Sequence, residues 1–216
     1  MNSAIRLVAV NVAKPKYLGE HRGKPILSGI AKLPVAVDHL WLDLLNLEGD
    51  GQADLSVHGG PDKAVYAYPS EHLADWAAEL GQQLGPAAFG ENLTTAGGTE
   101  DQVCIGDRWY WGDAVLEVTQ PRAPCFKLAI HRGRGDIGRL LRQSGRCGWY
   151  LRVLEPGRVP VAGPILVVPH PMGATVTAAH RALWSRETPV EVVEALLSVE
   201  PLALDWKMAL ASRLPD

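Results

Sequence analysis

Ala114-Val115-Leu116-Glu117-Val118-Thr119-Gln120-Pro121-Arg122-Ala123-Pro124-Cys125-Phe126-Lys127-Leu128 reads as a strand running into a stiff, charged segment. Residues 114–118 are a short, mostly apolar run that follows the turn residues Gly112-Asp113, as strands do. Proline fixes its own φ and pushes the preceding residue towards an extended form. Pro121 and Pro124 therefore hold Cys125 at the end of a non-helical stretch. Arg122 and Lys127 favour thiolate over thiol if they lie near the sulfur, and the thiolate is the form that attacks or binds metal. A small buried apolar cysteine is the alternative reading of the same residues.

Outward from this stretch the chain repeats one pattern of short apolar runs separated by turn residues. Ile5–Val12 reads as a buried strand. His21-Arg22-Gly23-Lys24 reads as a turn before Pro25-Ile26-Leu27. Val35–Val37, Lys63–Tyr68, Gly106–Asp113, Gly148–Leu154 and Pro164–Val168 supply further strand signals. With Gly 22 and Pro 16 in 216 residues, the expectation is a closed or sandwiched β-structure. Helices interrupt it. Ser70 is placed to cap a helix from Glu71, with Leu73, Trp76, Ala77 and Leu80 on its apolar face and Gly81 at its end. His72 falls on the solvated side. Asp136 is placed to cap a second helix with Ile137, Leu140 and Leu141 inward, ending near Ser144-Gly145.

Beyond Pro169 the character changes. Thr177–Trp184 has a helical pattern. Thr188-Pro189-Val190-Glu191 has the spacing of a capping box, opening a helix with Val190, Val193, Ala195 and Leu197 as its apolar material. Leu202–Leu214 reads as a third helix, with Leu202, Trp206, Ala209 and Leu210 on one face. The fold class expected is mainly β with α: a body over residues 1–170 and a helical module over 173–216.

Composition narrows the function. The chain is 47% hydrophobic and 21% charged, as in a globular protein, and length alone allows one or two domains. No apolar run approaches the ~18 residues of a membrane span, and residues 1–6 do not resemble a signal peptide. Three widely spaced cysteines argue for a reducing compartment, hence the cytoplasm. A net charge of −3 gives no reason to expect nucleic acid. The distribution is uneven, however. Residues 122–146 hold seven Lys/Arg against one Asp, a net +6 that leaves −9 for the remainder. Such a segment is either a solvated basic face or a site for a small anion such as a phosphate group.

Two polar regions stand out besides Cys125. Glu48-Gly49-Asp50-Gly51-Gln52-Ala53-Asp54 and His58-Gly59-Gly60-Pro61-Asp62-Lys63 are glycine-punctuated, so each is a pair of tight turns or a place where backbone approaches a ligand. The first is no EF-hand, because Pro61 stands at the twelfth position from Asp50 where glutamate is required. Phe89-Gly90-Glu91-Asn92-Leu93-Thr94 reads as a turn whose Glu-Asn pair either binds a heterocycle or holds the loop together.

Taken together with Val10–Pro15, Ile105-Gly106-Asp107 and Gln120–Leu128, these motifs, occurring in this order, resemble the MOSC-domain proteins. Among them the chain resembles the stand-alone bacterial YiiM-like branch, whose barrel is followed by a three-helix module. The resemblance covers nearly the whole chain. It implies a MOSC-type β-barrel that holds the molybdenum cofactor (Mo-molybdopterin), with Cys125 as the metal ligand. It implies that Arg122, with the basic segment including Lys127, meets the pterin phosphate. Asn92, Glu91, Lys63 and the backbone at Gly59 and Gly60 then contact the cofactor. His58 and Asp54 handle protons near the open metal position. Cys104 and Cys147 are structural.

The implied activity is reductive dehydroxylation of N-hydroxylated compounds, the detoxification of 6-N-hydroxylaminopurine among them. The chain carries no flavin, haem or iron–sulfur signature, so a separate reductase is expected to supply electrons. The helical tail then docks that reductase, or only packs on the barrel or on the second subunit of a homodimer. The main alternative is a non-catalytic carrier of the cofactor or of sulfur. A cysteine hydrolase with His58 or His131 as base lacks a matching nucleophile signature, and the cysteines lack the paired spacing of a zinc site.

Overall fold

The structure, a computed structural model, describes residues 3–53 and 59–214. It begins with strand β1 (Ser3–Val12), then a hairpin of β2 (Lys16–His21) and β3 (Lys24–Ser28), a two-residue strand β4 (Leu33–Pro34) and β5 (His39–Leu42). The hairpin turns at Arg22 and Gly23, both with positive φ, the conformation of the tight turns that join right-twisted strands. Strand β6 (Val65–Pro69) follows a single 3₁₀ turn at Pro61–Lys63, and α1 (Leu73–Leu80) leads on to β7 (Leu93–Ala96). Then come β8 (Arg108–Trp111), β9 (Ala114–Pro121), α2 (Phe126–Arg132), α3 (Ile137–Ser144), β10 (Trp149–Glu155), β11 (Gly157–Pro160) and β12 (Gly163–Val168). Three helices end the chain: α4 (Val176–Trp184), α5 (Val190–Leu197) and α6 (Leu204–Ala211).

Seven strands close a barrel in the order β12-β8-β9-β10-β6-β7-β1, and β1 pairs back onto β12 through registers such as Ile5 with Ile165. Only β6 and β7 run parallel within it, because α1 and the following loop carry the chain across between them. Closure removes the sheet edges that short strands otherwise expose. The inward positions are large. Trp109, Trp111, Trp149, Leu116 and Val118 are fully buried, and burying each aliphatic side chain of this kind stabilises by about 1.5–3 kcal/mol.

The structure corrects several local expectations. β1 is not buried throughout: Ile5, Leu7 and Val10 point in, while Arg6 and Val8 face solvent. Val35–Val37 is not a strand; the β1 register ends at Leu33–Pro34, and beyond it Val35 N makes one bond, to the Val10 carbonyl (2.9 Å). A 3₁₀ turn at Ser70–His72 precedes α1, and Ser70 caps nothing. Asp136 does not cap α3 with its side chain, which binds Arg134 instead. The capping box at 188–191 does not form. Thr188 donates its hydroxyl to the Arg181 carbonyl, and Pro189 occupies the cap position. In α5 the buried residues are Val193 and Leu196. No helix among the described residues is long and apolar enough to cross a membrane.

Candidate functional site

Where β9 leaves the barrel wall, Pro121 ends the strand and Cys125 sits in an extended conformation just before α2 starts at Phe126. The two prolines thus do locally what their chemistry dictates. The segment borders a cleft of about 100 Å³ lined by Cys125, Arg122, Lys127, Lys32, Lys63 and Gly59, among others. The floor comes from β6 and β10, through Tyr66 and Tyr150, and the opposite wall from residues 28–32 and 50–53.

Arg122 is buried, with its guanidinium carbon 5.4 Å from the centre of the Tyr66 ring. Burial opposes its charge, but Tyr66, Cys125 and Tyr150 outweigh burial and raise its pKa. No carboxylate within ion-pair distance is present among the described residues, and Nη1 is buried without a hydrogen-bond partner. Tyr66 and Tyr150 are themselves pushed well towards the neutral phenol by burial. Lys127 is almost fully buried and lines the same cleft.

Asp50 organises the opposite wall. Its carboxylate accepts from Ala13 N (2.9 Å) and from Asn92 Nδ2 (2.8 Å), and it pairs with Lys32. Burial lowers the Lys32 pKa, and Asp50 opposes that shift. Asn92 is spoken for on every side: Oδ1 accepts from Tyr66 N (3.1 Å), and Nδ2 also reaches the Asn11 carbonyl (3.3 Å). It therefore borders the cleft with its amide already paired inside the wall.

The predicted site residues thus separate. Cys125, Arg122, Lys127, Lys63, Asn92 and Gly59 share one cleft. Gly60 stands behind it, at the start of the Pro61–Lys63 turn with φ +87°. Glu91 turns away from the cleft. Its carboxylate accepts from Ala87 N (2.7 Å), Phe89 N (2.9 Å) and the Thr94 hydroxyl (2.8 Å), holding the loop before β7. Burial raises its pKa and those hydrogen bonds oppose the rise. Asp54 and His58 lie outside the described residues. His72 is not solvated; its Nε2 is 2.7 Å from Glu100 Oε2. Cys147 is buried, with its thiol pushed up by burial, and burial pushes Cys104 up to about 11, so neither favours thiolate. Sequence reasoning missed Lys32, Tyr66 and Tyr150 as cleft residues, and noted Asp50 only as part of a loop.

The donor set fits a bulky anion carrying a soft metal. Cys125 supplies a thiol, Arg122 an orphaned buried guanidinium, and three lysines also line the cleft, Lys32 paired with Asp50 and Lys63 with Asp205. Among the described residues no cluster of three or more His, Cys, Asp or Glu forms a metal cage.

Comparison with known proteins agrees. The model of the MOSC domain matches residues 54–165, and the chain belongs to the MOSC-domain family, whose function is tied to the molybdenum cofactor. It is 45% identical to the "Uncharacterized protein YflK" of Bacillus subtilis over 93% of this chain and 90% of that protein. It superposes on the crystal structure of YiiM from Geobacillus stearothermophilus with a TM-score of 0.81 at 31% identity, covering 98% of this chain and all of that one. These likenesses place it in the YiiM-like branch. A protein of Gibberella moniliformis named "Reductase" is 40% identical over 57% of this chain, which spans 22% of that protein.

Proposed function

We propose that the chain holds a molybdenum cofactor in the Cys125 cleft and uses it to reduce N-hydroxylated compounds, hydroxylaminopurines among them. Arg122 carries this reading. A buried, charged guanidinium with an unpartnered nitrogen, beside a cysteine and open to a cleft, is costly unless an anion completes it. The Cys125 thiolate is the metal ligand, supplied from a segment whose direction Pro121 and Pro124 restrict. Arg122 and Lys127 neutralise the anionic part of the cofactor, with Lys63 and Lys32 at the rim. Asn92 acts through the wall: with its amide engaged, it fixes the spacing between Asp50 and β6.

When bound, the molybdenum centre supplies two-electron, oxygen-accepting chemistry. The overall reaction breaks the N–O bond, places hydrogen on nitrogen and releases water, consuming two electrons and two protons. Asp54 and His58 are the proposed proton carriers. The electrons come from a separate reductase, and the setting is the cytoplasm. The "Reductase" relative from Gibberella supports an oxidoreductase role over the aligned part only.

The test is molybdenum content, by elemental analysis, of the protein and of Cys125→Ala, both made in a host that synthesises the cofactor. Near-stoichiometric metal in the first and none in the second is expected, followed by hydroxylamine reduction with dithionite as reductant. Full metal content in Cys125→Ala refutes the ligand. Metal without turnover refutes the reductive activity and leaves a carrier.

A further inference from the structure

The proposed function requires electrons from another protein, and the inference that follows rests on that reading. A second, larger cleft of about 1080 Å³ lies between α3 and α4. Arg139 and Arg142 line it from α3, Arg146 from the loop after it, and Arg181, Trp184 and Arg186 from α4 and the turn after that. Arg146 is engaged by Glu79 and sits 3.9 Å from the Trp76 ring, and Arg139 is 3.5 Å from Asp136. Arg142, Arg181 and Arg186 are exposed and have no ion-pair partner among the described residues; Arg142 lies over the Trp184 ring at 5.5 Å. Trp184 is 43% exposed. Exposed tryptophan beside unpaired arginine is the composition of protein-binding hot spots.

One segment, Cys147-Gly148, is hydrogen-bonded to lining residues of both clefts. On one side, Gly148 N donates to Glu100 Oε1 (2.7 Å), and Glu100 lines the arginine cleft. On the other, the Gly148 carbonyl accepts from Arg122 N (3.1 Å), and the Cys147 carbonyl accepts from the Tyr66 hydroxyl (2.9 Å). Arg122 and Tyr66 line the Cys125 cleft. Gly148 has φ +65°, and a Cβ there would lie 2.4 Å from the Ala67 carbonyl oxygen, so the segment requires glycine at this position.

We propose that the arginine cleft between α3 and α4 is the docking surface for the acidic face of an electron-transfer protein, tied by the hydrogen bonds of Cys147-Gly148 to residues that line the Cys125 site. The partner gives up two electrons for each N–O bond cleaved, from one two-electron flavin centre or from two encounters with a one-electron iron–sulfur centre, and is itself oxidised; solvent supplies the protons. Glu100, Asp101 and Glu187 also border the cleft, which suits a patterned protein surface better than a continuous phosphate backbone.

The test measures binding, with and without cofactor, at low and physiological ionic strength. The probes are purified flavodoxin, a small acidic flavoprotein, and a plant-type ferredoxin as the iron–sulfur counterpart. Salt-sensitive binding of at least one is expected. Arg142→Glu/Arg181→Glu is expected to weaken it at least tenfold and flatten its salt dependence, and Trp184→Ala to weaken it too. Arg158→Glu, on exposed β11, is expected to leave it unchanged. Turnover with dithionite stays at the parent level in all these variants. Binding of neither probe, or binding indifferent to the double variant, overturns the docking surface. So does an arginine-dependent affinity for a single-stranded oligonucleotide that exceeds that for both proteins. Failure of the loaded parent protein to turn over hydroxylamines with dithionite instead refutes the proposed activity, and the binding result stands apart from it.

Discussion

Arg122 is the residue at which structure and chemistry pull hardest against each other. Its guanidinium is buried with an orphaned nitrogen, and the Tyr66 ring offsets only part of the cost, about 0.5–2 kcal/mol for a cation over an aromatic face. A site kept for folding alone would be more stable with an apolar side chain. Arg122→Met is therefore expected to leave the melting temperature of the metal-free protein unchanged or raise it, while retention of molybdenum through dialysis falls at least tenfold. Calorimetry beside elemental analysis checks both, and a drop of several degrees would make the guanidinium structural. Glu91 predicts the opposite pattern. Glu91→Gln keeps one accepting oxygen but sets an amide N–H against at least one donor, Phe89 N or Ala87 N, at a cost of about 1–3 kcal/mol, with cofactor retention unaffected in whatever protein remains folded. Gly-Glu-Asn looks the same in sequence whether its carboxylate faces a ligand or its own loop. Cys125 and Arg122 were legible because prolines and cations surround them. Lys32 was not, because its role depends on Asp50, eighteen residues away in sequence.

At the scale of elements, legibility followed apolar patterning. Strands β6, β9, β10 and β12 are aliphatic or aromatic runs and were expected close to where they lie. β5, β7 and β11 are four residues each and mix polar with apolar side chains, so only their partners define them. Helix α2 escaped notice because a proline stands two residues before its start and it spans seven residues, too few for a clear period. Helix α4 was expected, and carries a feature its pattern does not show. His180 on it is buried with Nε2 unpartnered; burial lowers its pKa to about 4, Glu100 opposing and Arg181 adding to the shift. In the unfolded chain its pKa is near the ordinary ~6.5. Between these values the unfolded state takes up a proton that the folded state does not, so stability falls as pH falls, by up to about 3 kcal/mol from this group. His180→Gln cannot titrate and is expected to flatten the loss of stability from pH 6.5 to 4 in denaturant titrations; an unchanged slope would remove His180 as its source.

Across the whole molecule, the barrel and the three helices share one core. Val176, Ala179, Ala182, Val193, Leu196, Leu202, Trp206 and Leu210 belong to the same buried cluster as Trp109, Trp149 and Leu116 of the barrel. Polar ties reinforce it. Ile105 N donates to the Ala174 carbonyl (2.8 Å), Ala203 N to the Thr119 carbonyl (3.1 Å), and Arg152 bridges Asp62 (2.9 Å) and the Pro201 carbonyl (2.8 Å). The last tie reaches the Pro61–Lys63 turn, and Lys63 on that turn pairs with Asp205 of α6 while lining the Cys125 cleft. The change of sequence character after Pro169 marks a change of secondary structure, but periodicity does not show which face a helix covers, so the shared core was not legible there. Removing everything after Pro169 would strip apolar cover from the barrel and free the turn beside Gly59. The truncated chain is expected to lose cooperative thermal unfolding or to precipitate, and so to lose turnover equally with dithionite and with a protein donor. A truncated barrel that melts cooperatively, keeps its molybdenum and turns over with dithionite would show that the helices serve the partner alone. Point variants at Arg142 and Arg181 avoid this confusion, since both side chains are exposed and belong to none of the buried clusters.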